Sequence, residues 1–354
     1  MISGVKRRSI LIGLRTTVFA VSSFPAATAL PLHAGDAVVV VADPASLAFE
    51  AGDLPRGFAL ASGGSSRDEA VDRLAAAIGD AAKNDPSLEI AIATQDLRGP
   101  SGPSAVIAVA VRRGDARAFA DSVARLRADR YDSRRFGNVV LVFATDDRSQ
   151  RTVLAGAAFG RYARLARAAA ETRAAAGDAG GALACLETIL EFSPDDARAR
   201  VRAGEIASSH EPSRASAREH FERGLRSLEK AKPAARPKGL LLDARIGLAR
   251  LDRESGDAAA AESALRRAAI ENGVEEKAVA ARVGYELAAA IAADPKRAKE
   301  ALDTLERALD DESKSGSPEN ALARRAAADK AFGNVAGDDR FDEILRKFGA
   351  GRRP

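Results

Sequence analysis

The sequence predicts two domains of different class: an α+β domain of split βαβ, ferredoxin-like type over residues 36–156, then an all-α domain of helical repeats over 157–349. Three observations predict this. At 354 residues the chain has room for two ordinary domains. Strand-length runs rich in β-branched residues, such as "DAVVVVAD" and "NVVLVFATDD", are confined to the first part and alternate with amphipathic stretches. From Phe159 onward Ala, Arg, Glu and Leu dominate, the β-branched runs stop, and apolar residues recur with a period of 3.6 rather than 2.

Within the first domain, "DAVVVVAD" (36–43) reads as a buried strand bounded by Asp36 and Asp43-Pro44. "SSRDEAVDRLAAAIGDAAKN" follows as a helix, with Ser or Asp to cap it and Val71, Leu74, Ala75 and Ile78 on one face. "LEIAIATQDL" and "AVIAVAVRR" alternate as strands around the turn or loop "GPSGPS", and a helix carrying Phe119, Val123 and Leu126 starts from Gly114-Asp115. "NVVLVFATDD" and "TVLAGAAFG" complete the pattern as two further strands. The expected product is an antiparallel or mixed sheet with its helices on one face.

Chemistry in this domain has weak sequence support. "SGGSS" (Ser62–Ser66) before a helix could surround an anion with backbone N–H groups, but it lacks the Gly-Lys-Ser/Thr of a phosphate loop and the glycines of a dinucleotide site, so a turn and N-cap explain it better. Asp146-Asp147 could be a metal carboxylate pair. Placed between two expected strands, they read instead as turn residues bonding local backbone.

The second domain opens with a recurring spacing. Gly177, Ala182, Leu186, Ile189 and Pro194 are followed by Gly204, Ala217, Phe221 and Gly224 across a lengthened turn "SSHEPS". Leu248, Gly256, Ala261, Leu265 and Ala268 repeat the pattern, and Ala301, Leu305 and Ala308 repeat it more weakly after "AADPKR". Small residues let helices approach, bulky ones fill the groove, and Pro194 stops a helix. These residues resemble the tetratricopeptide repeat (TPR), a unit of helix, turn, helix, over about residues 163–310. The family's Trp is absent and its first-helix Gly-Tyr pair is degraded. "AKPAARPKG" (231–239) is expected as an inserted loop. "ENALARRAAADKAFGNVAGDDRFDEILRKFG" resembles the atypical closing helices of such arrays, with Leu322, Ala326, Phe332, Phe341, Ile344, Leu345 and Phe348 as its apolar face. Asp338, Asp339, Asp342 and Glu343 lack the Gly and the spacing of a calcium loop and suit a helix start. Residues 350–354 are expected as a disordered tail.

Residues 1–34, "MISGVKRRSILIGLRTTVFAVSSFPAATALPLHA", have a basic start, an apolar middle and small residues suited to cleavage at Ala27-Thr28-Ala29 or Leu32-His33-Ala34. This predicts an export signal and a periplasmic or secreted protein; an uncleaved membrane anchor and a soluble basic tail are the alternatives. Lys6-Arg7-Arg8-Ser9-Ile10-Leu11 resembles a twin-arginine signal, with Ile10 and Lys6 departing from its pattern. No other apolar run reaches the length of a membrane span.

Charge and inventory bound the function. Lys6, Arg7, Arg8 and Arg15 account for the whole excess of 54 basic over 50 acidic residues, so the rest of the chain is formally neutral. With no Trp and three Tyr it lacks the cationic, aromatic surface that binds nucleic acid. Cys185 is the single cysteine, sits in a helical apolar stripe and reads as core. His210 and His220 are ten residues apart, without the i, i+4 spacing of a helical metal pair. No catalytic, cofactor-binding or metal-ligating residue and no cofactor is assigned. The expected function is a non-enzymatic interaction or scaffold protein, in which stacked hairpins offer a concave face to a protein or peptide, as the resemblance implies. The dense Arg, Glu and Asp of that half either meet a partner or simply solvate the array. The alternative is a small-ligand-binding or hydrolytic α+β module, with Ser62–Ser66 and Leu97–Ser104 at its mouth and the repeats positioning it.

Overall fold

The computed structural model describes residues 40–349 except 57, 62–68, 84, 86, 101, 126–130, 146, 233, 235, 238, 273–275 and 317–320. The expectations for residues 1–34, 36–39, Ser62–Ser66, Asp146 and 350–354 lie outside the described residues. The chain divides into two compact units at Pro194/Asp195.

The N-terminal unit is built on a five-stranded antiparallel sheet in the order β1-β2-β3-β5-β4, formed by Ala59–Leu60, Glu89–Gly99, Gly102–Arg113, Val139–Ala144 and Tyr131–Phe136 in that spatial order. Helix α1 (Glu69–Lys83) precedes β2, and α2 (Ala116–Ala124) joins β3 to β4. Because β5 is antiparallel to both β3 and β4, β3 and β4 run parallel with β5 between them. That is a split βαβ unit, and the domain is α+β as predicted.

The strand that fills the split differs from the expected one. In a ferredoxin-like order the slot between β3 and β4 belongs to the first strand, for which "DAVVVVAD" is the candidate. Here β5 occupies it, entering from β4 through a two-residue turn in which Gly137 has φ +54°. The described part of the expected strand, residues 40–43, forms no strand. It is held at the end of the sheet by Asn138, which is fully buried: Val40 N and Val41 N donate to Asn138 Oδ1 at 3.0 and 3.2 Å, and Nδ2 donates to Val41 O at 2.8 Å and Val111 O at 3.1 Å. "TVLAGAAFG" also proves not to be a strand. It lies inside α3 (Arg148–Ala175), where Leu154, Ala155, Ala158, Tyr162, Ala163, Ala166 and Ala170 are buried at spacings of one, three and four. The hairpin partner of "NVVLVFA" is the polar "YDSRRF".

One sheet face packs Ile107, Val109, Val140 and Val142 against Leu74 and Ile78 of α1 and Phe119 and Val123 of α2. The opposite face, expected to be open, is buried as well. Against it lie α3 and a strap over residues 40–53, in which Val41, Leu47 and Phe49 are buried. The Gln95 amide fixes the strap by accepting from Phe49 N at 2.7 Å and donating to Phe49 O at 2.9 Å. Double burial explains why every residue of β5 is apolar and buried. The unit is completed by α4 (Ala179–Phe192), which forms a hairpin with α3.

The C-terminal unit contains the hairpins α5–α6 (Ala197–Ser208, Arg214–Lys230), α7–α8 (Leu240–Glu254, Ala258–Asn272) and α9–α10 (Lys277–Ile291, Ala298–Lys314), then α11 (Ala321–Ala328), a 3-10 turn and α12 (Asp339–Lys347). Helix α7 packs against both α5 and α9, so the first helices of successive hairpins are neighbours. The described residues of the insertion at 231–239 hold no α-helix or strand. Phe332, Phe341, Ile344 and Leu345 of the closing segment are buried against Tyr285, Leu302, Leu305 and Leu309, so it covers the edge of the α9–α10 hairpin. Asp338 caps α12 through Arg340 N at 2.9 Å.

Most of the recurring positions prove to be contacts, whereas Gly177, Pro194 and Gly256 are exposed in turns. Ala182, Leu186, Ile189, Ala217, Phe221, Gly224, Ala261, Leu265, Ala268, Ala301, Leu305 and Ala308 are buried. Phe221 is wedged between two other helices: a Cβ on Gly204 of α5 would lie 2.9 Å from its ring, and one on Gly247 of α7 would lie 2.3 Å from it.

Two outcomes follow. Gly247→Ala drives a methyl into the Phe221 ring and should cost about 1–3 kcal/mol, and Phe221→Ala should cost about 3–5 kcal/mol, both read from urea unfolding midpoints. Asn138→Ala strands the Val40 and Val41 amides, at about 1–3 kcal/mol for a buried unmade hydrogen bond, and should accelerate hydrogen exchange in the strap before the rest of the sheet.

A candidate binding groove among helices α8, α9 and α10

The residues singled out for chemistry do not converge in the structure. Cys185 is buried in α4, and burial pushes its thiol up, away from thiolate chemistry. Asp147 caps α3, accepting from Ser149 N at 2.7 Å. His210 Nδ1 lies 3.2 Å from Ser213 Oγ, whereas His220 Nδ1 lies 3.3 Å from Arg200 Nη1. Burial first, and Arg200 second, hold the His220 imidazole below its usual value. Leu97–Gly99 and Gly102–Ser104 are ladder residues at the end of the β2–β3 hairpin rather than a loop.

The charges of the C-terminal unit are largely committed to one another. Glu286 of α9 is 3% exposed and receives Arg250 of α7 through Nε at 2.8 Å and Nη2 at 2.5 Å, and Arg325 of α11 at 3.0 Å. The Arg325 guanidinium also lies over the Tyr285 ring at 4.6 Å, and Tyr285 donates to Asp329 at 3.0 Å. Asp243 of α7 pairs with Arg282 of α9 at 2.6 Å, and Arg218 of α6 with Asp252 of α7 at 2.6 Å. Arg218–Asp252 joins consecutive helices, and the other pairs join the alternate helices α7, α9 and α11.

Among the described residues, a concavity of mainly apolar floor in this unit is not filled by its own side chains. A groove of about 280 Å³ lies along α9 between α8 and α10. Its floor is Ala269, Ala280, Val283, Gly284, Leu287 and Ala308. The small residues are what make room. Gly284 lets α9 approach α10 so closely that a Cβ there would sit 3.0 Å from the Ala308 methyl. At one end Arg266 bridges to Glu300 at 3.1 Å, backed by Arg297 on Glu262 at 2.6 Å. At the other, Lys277 pairs with Asp311 at 2.7 Å. Arg307 also lines the groove and is exposed; its Nε donates to Asp303 O, and among the described residues it has no carboxylate partner. Beside the groove on α8, one turn from Arg266, Ile270 is 81% exposed.

An apolar floor between ion-paired ends is suited to holding side chains of another chain. Sequence reasoning missed the groove because its lining comes from three helices and forms no motif. The exposed Ile270 within "SALRRAAI" was its one legible signal.

The fold is that of an α+β sheet module followed by TPR-like helical hairpins. No protein-family model matches the chain, and no curated protein matches it. Among solved structures it is similar to MamA protein, at 18% identity and a TM-score of 0.35 over 54% of this chain and 90% of that one. It is likewise similar to YrrB, described as a TPR protein with an unusual peptide-binding site, at 18% identity and a TM-score of 0.32 over 53% of this chain and 83% of that one.

The ion pairs at the groove give a pH signature. Hydrogen bonding from Arg297, then Arg266, lowers the Glu262 carboxyl from its ordinary 4.5 to about 2. A folded value below the unfolded one means that the bridge stabilises the fold above about pH 4.5, and that this contribution is lost as the pH falls toward 2. Glu262→Gln should therefore flatten part of the decline in melting temperature between those limits. Equal slopes in the two proteins would contradict the assignment.

Proposed function

We propose that this protein is an exported, non-enzymatic interaction protein, in which the α+β module is joined to a helical-repeat unit that binds a protein or peptide. The observation that carries the reading is the groove along α9, whose apolar floor is left uncovered between two ion-paired ends. Export rests on the basic, apolar and small-residue leader over residues 1–34 and places the partner in the periplasm or outside the cell. No described helix is long and apolar enough to cross a membrane.

The test is photocrosslinking in intact cells. A photoreactive amino acid is placed in the full chain at exposed positions on each helix of the C-terminal unit, and adducts are identified by mass spectrometry. A reproducible adduct with one partner from any of these faces is expected, together with a processed chain in the exported fraction. The reading fails if no position gives a reproducible adduct, or if the chain remains unprocessed in the cytosol.

A further inference from the structure

Resting on that reading, we infer that the α8–α9–α10 groove receives an acidic amphipathic helix, which seats aliphatic side chains on the groove floor and places a carboxylate against Arg307. The first argument is length. The groove is lined along α10 from Glu300 to Asp311, a stretch of roughly 16 Å at 1.5 Å per residue, or about three helical turns. A helix laid there has α8 and α10 as walls and α9 beneath, the contact this unit already makes between its own helices.

The second argument is apolar surface. Val283, Leu287 and Ala308 offer a floor into which side chains one turn apart can reach, and Ile270 extends that surface onto the α8 lip. An aliphatic residue so exposed loses its contact with water when a partner covers it, which favours the complex. Helix-in-groove recognition uses anchors at i, i+3, i+4 and i+7.

The third argument is charge. Glu262, Glu300 and Asp311 are each satisfied by Arg297, Arg266 or Lys277. This leaves Arg307, which is exposed and lines the groove, as the cation in excess on the α10 side. A guanidinium beside an apolar strip complements a carboxylate flanking an apolar stripe and opposes a basic helix.

The test titrates the full chain, methyl-labelled for NMR, with three blocked twelve-residue peptides. One carries leucines at i, i+3, i+4 and i+7 among glutamates, the second has lysine for every glutamate, and the third has alanine for every leucine. The first should shift the Val279, Val283 and Leu287 methyl resonances saturably and bind at least ten-fold more tightly than the other two. Arg307→Glu, at an exposed position, should abolish the preference for the glutamate peptide over the lysine peptide. Ile270→Asp should weaken the first peptide while the circular dichroism spectrum stays unchanged. Equal binding of the acidic and basic peptides, shifts confined to other residues, or no shift at millimolar peptide would overturn the inference. If cellular crosslinks then arise from another face of the unit, the interaction reading survives and the groove loses its role.

Discussion

The C-terminal unit depends on how closely its helices can approach. Phe221 fills the space between α5 and α7 only because neither Gly204 nor Gly247 has a side chain. Alanines at 217, 261, 268, 301 and 308 keep the other contacts short. A single hairpin leaves two apolar faces bare, so each must be covered by the next hairpin or by a terminal helix. Here α11, the 3-10 turn and α12 do the covering, with three phenylalanines in place of the small residues used between hairpins. The same economy of side-chain volume leaves the α8–α10 gap unfilled. An alanine-rich contact surface closes helix pairs tightly, but it cannot span the wider space between every second helix.

The ion pairs act on top of that packing. An exposed pair adds at most about 1 kcal/mol, and many add nothing measurable, so their number says little about stability. Their placement says more. Arg250, Glu286 and Arg325 tie α7, α9 and α11 at fixed heights, and Glu286 is buried deeply enough that any slippage would leave its carboxylate without a counter-charge. A charged surface already satisfied within the unit has little left to offer a partner. Recognition then falls to the residues outside these pairs, Arg307 among them, and to the uncovered apolar floor.

Much of the fold was legible because it is written in local patterns. The period of 3.6 after residue 159, the strands at 89–99, 102–113 and 139–144, and the buried repeat positions could all be read without long-range information. The failures share one cause. Short apolar runs such as "TVLAGAAFG" fit a buried strand or a helix segment equally well by composition, and the choice is made by the helical residues that follow, to Ala175. There, "RYARLARAAAETR" extends a helix capped by Asp147, and the strand expectation cannot survive inside it. The partner strand "YDSRRF" was overlooked for the opposite reason, because its polar residues hide a β pattern on an edge. The groove left almost no trace, since its floor joins residues from 269 to 308 that only tertiary packing brings together.

The exchange of strands in the sheet follows from loop closure. The slot between β3 and β4 could in principle take "DAVVVVAD" or "VVLVFA", both β-branched and apolar. The second reaches it through a turn of two residues, Gly137 and Asn138, while the first would have to close over most of the domain. The shorter closure costs less entropy, and Gly137 supplies the positive φ that so tight a hairpin requires. With β5 in the slot, the described part of the earlier segment, residues 40–43, forms no strand. Its amides at Val40 and Val41 are satisfied by the Asn138 side chain instead, so the residue that completes the turn also anchors the segment that the turn displaces.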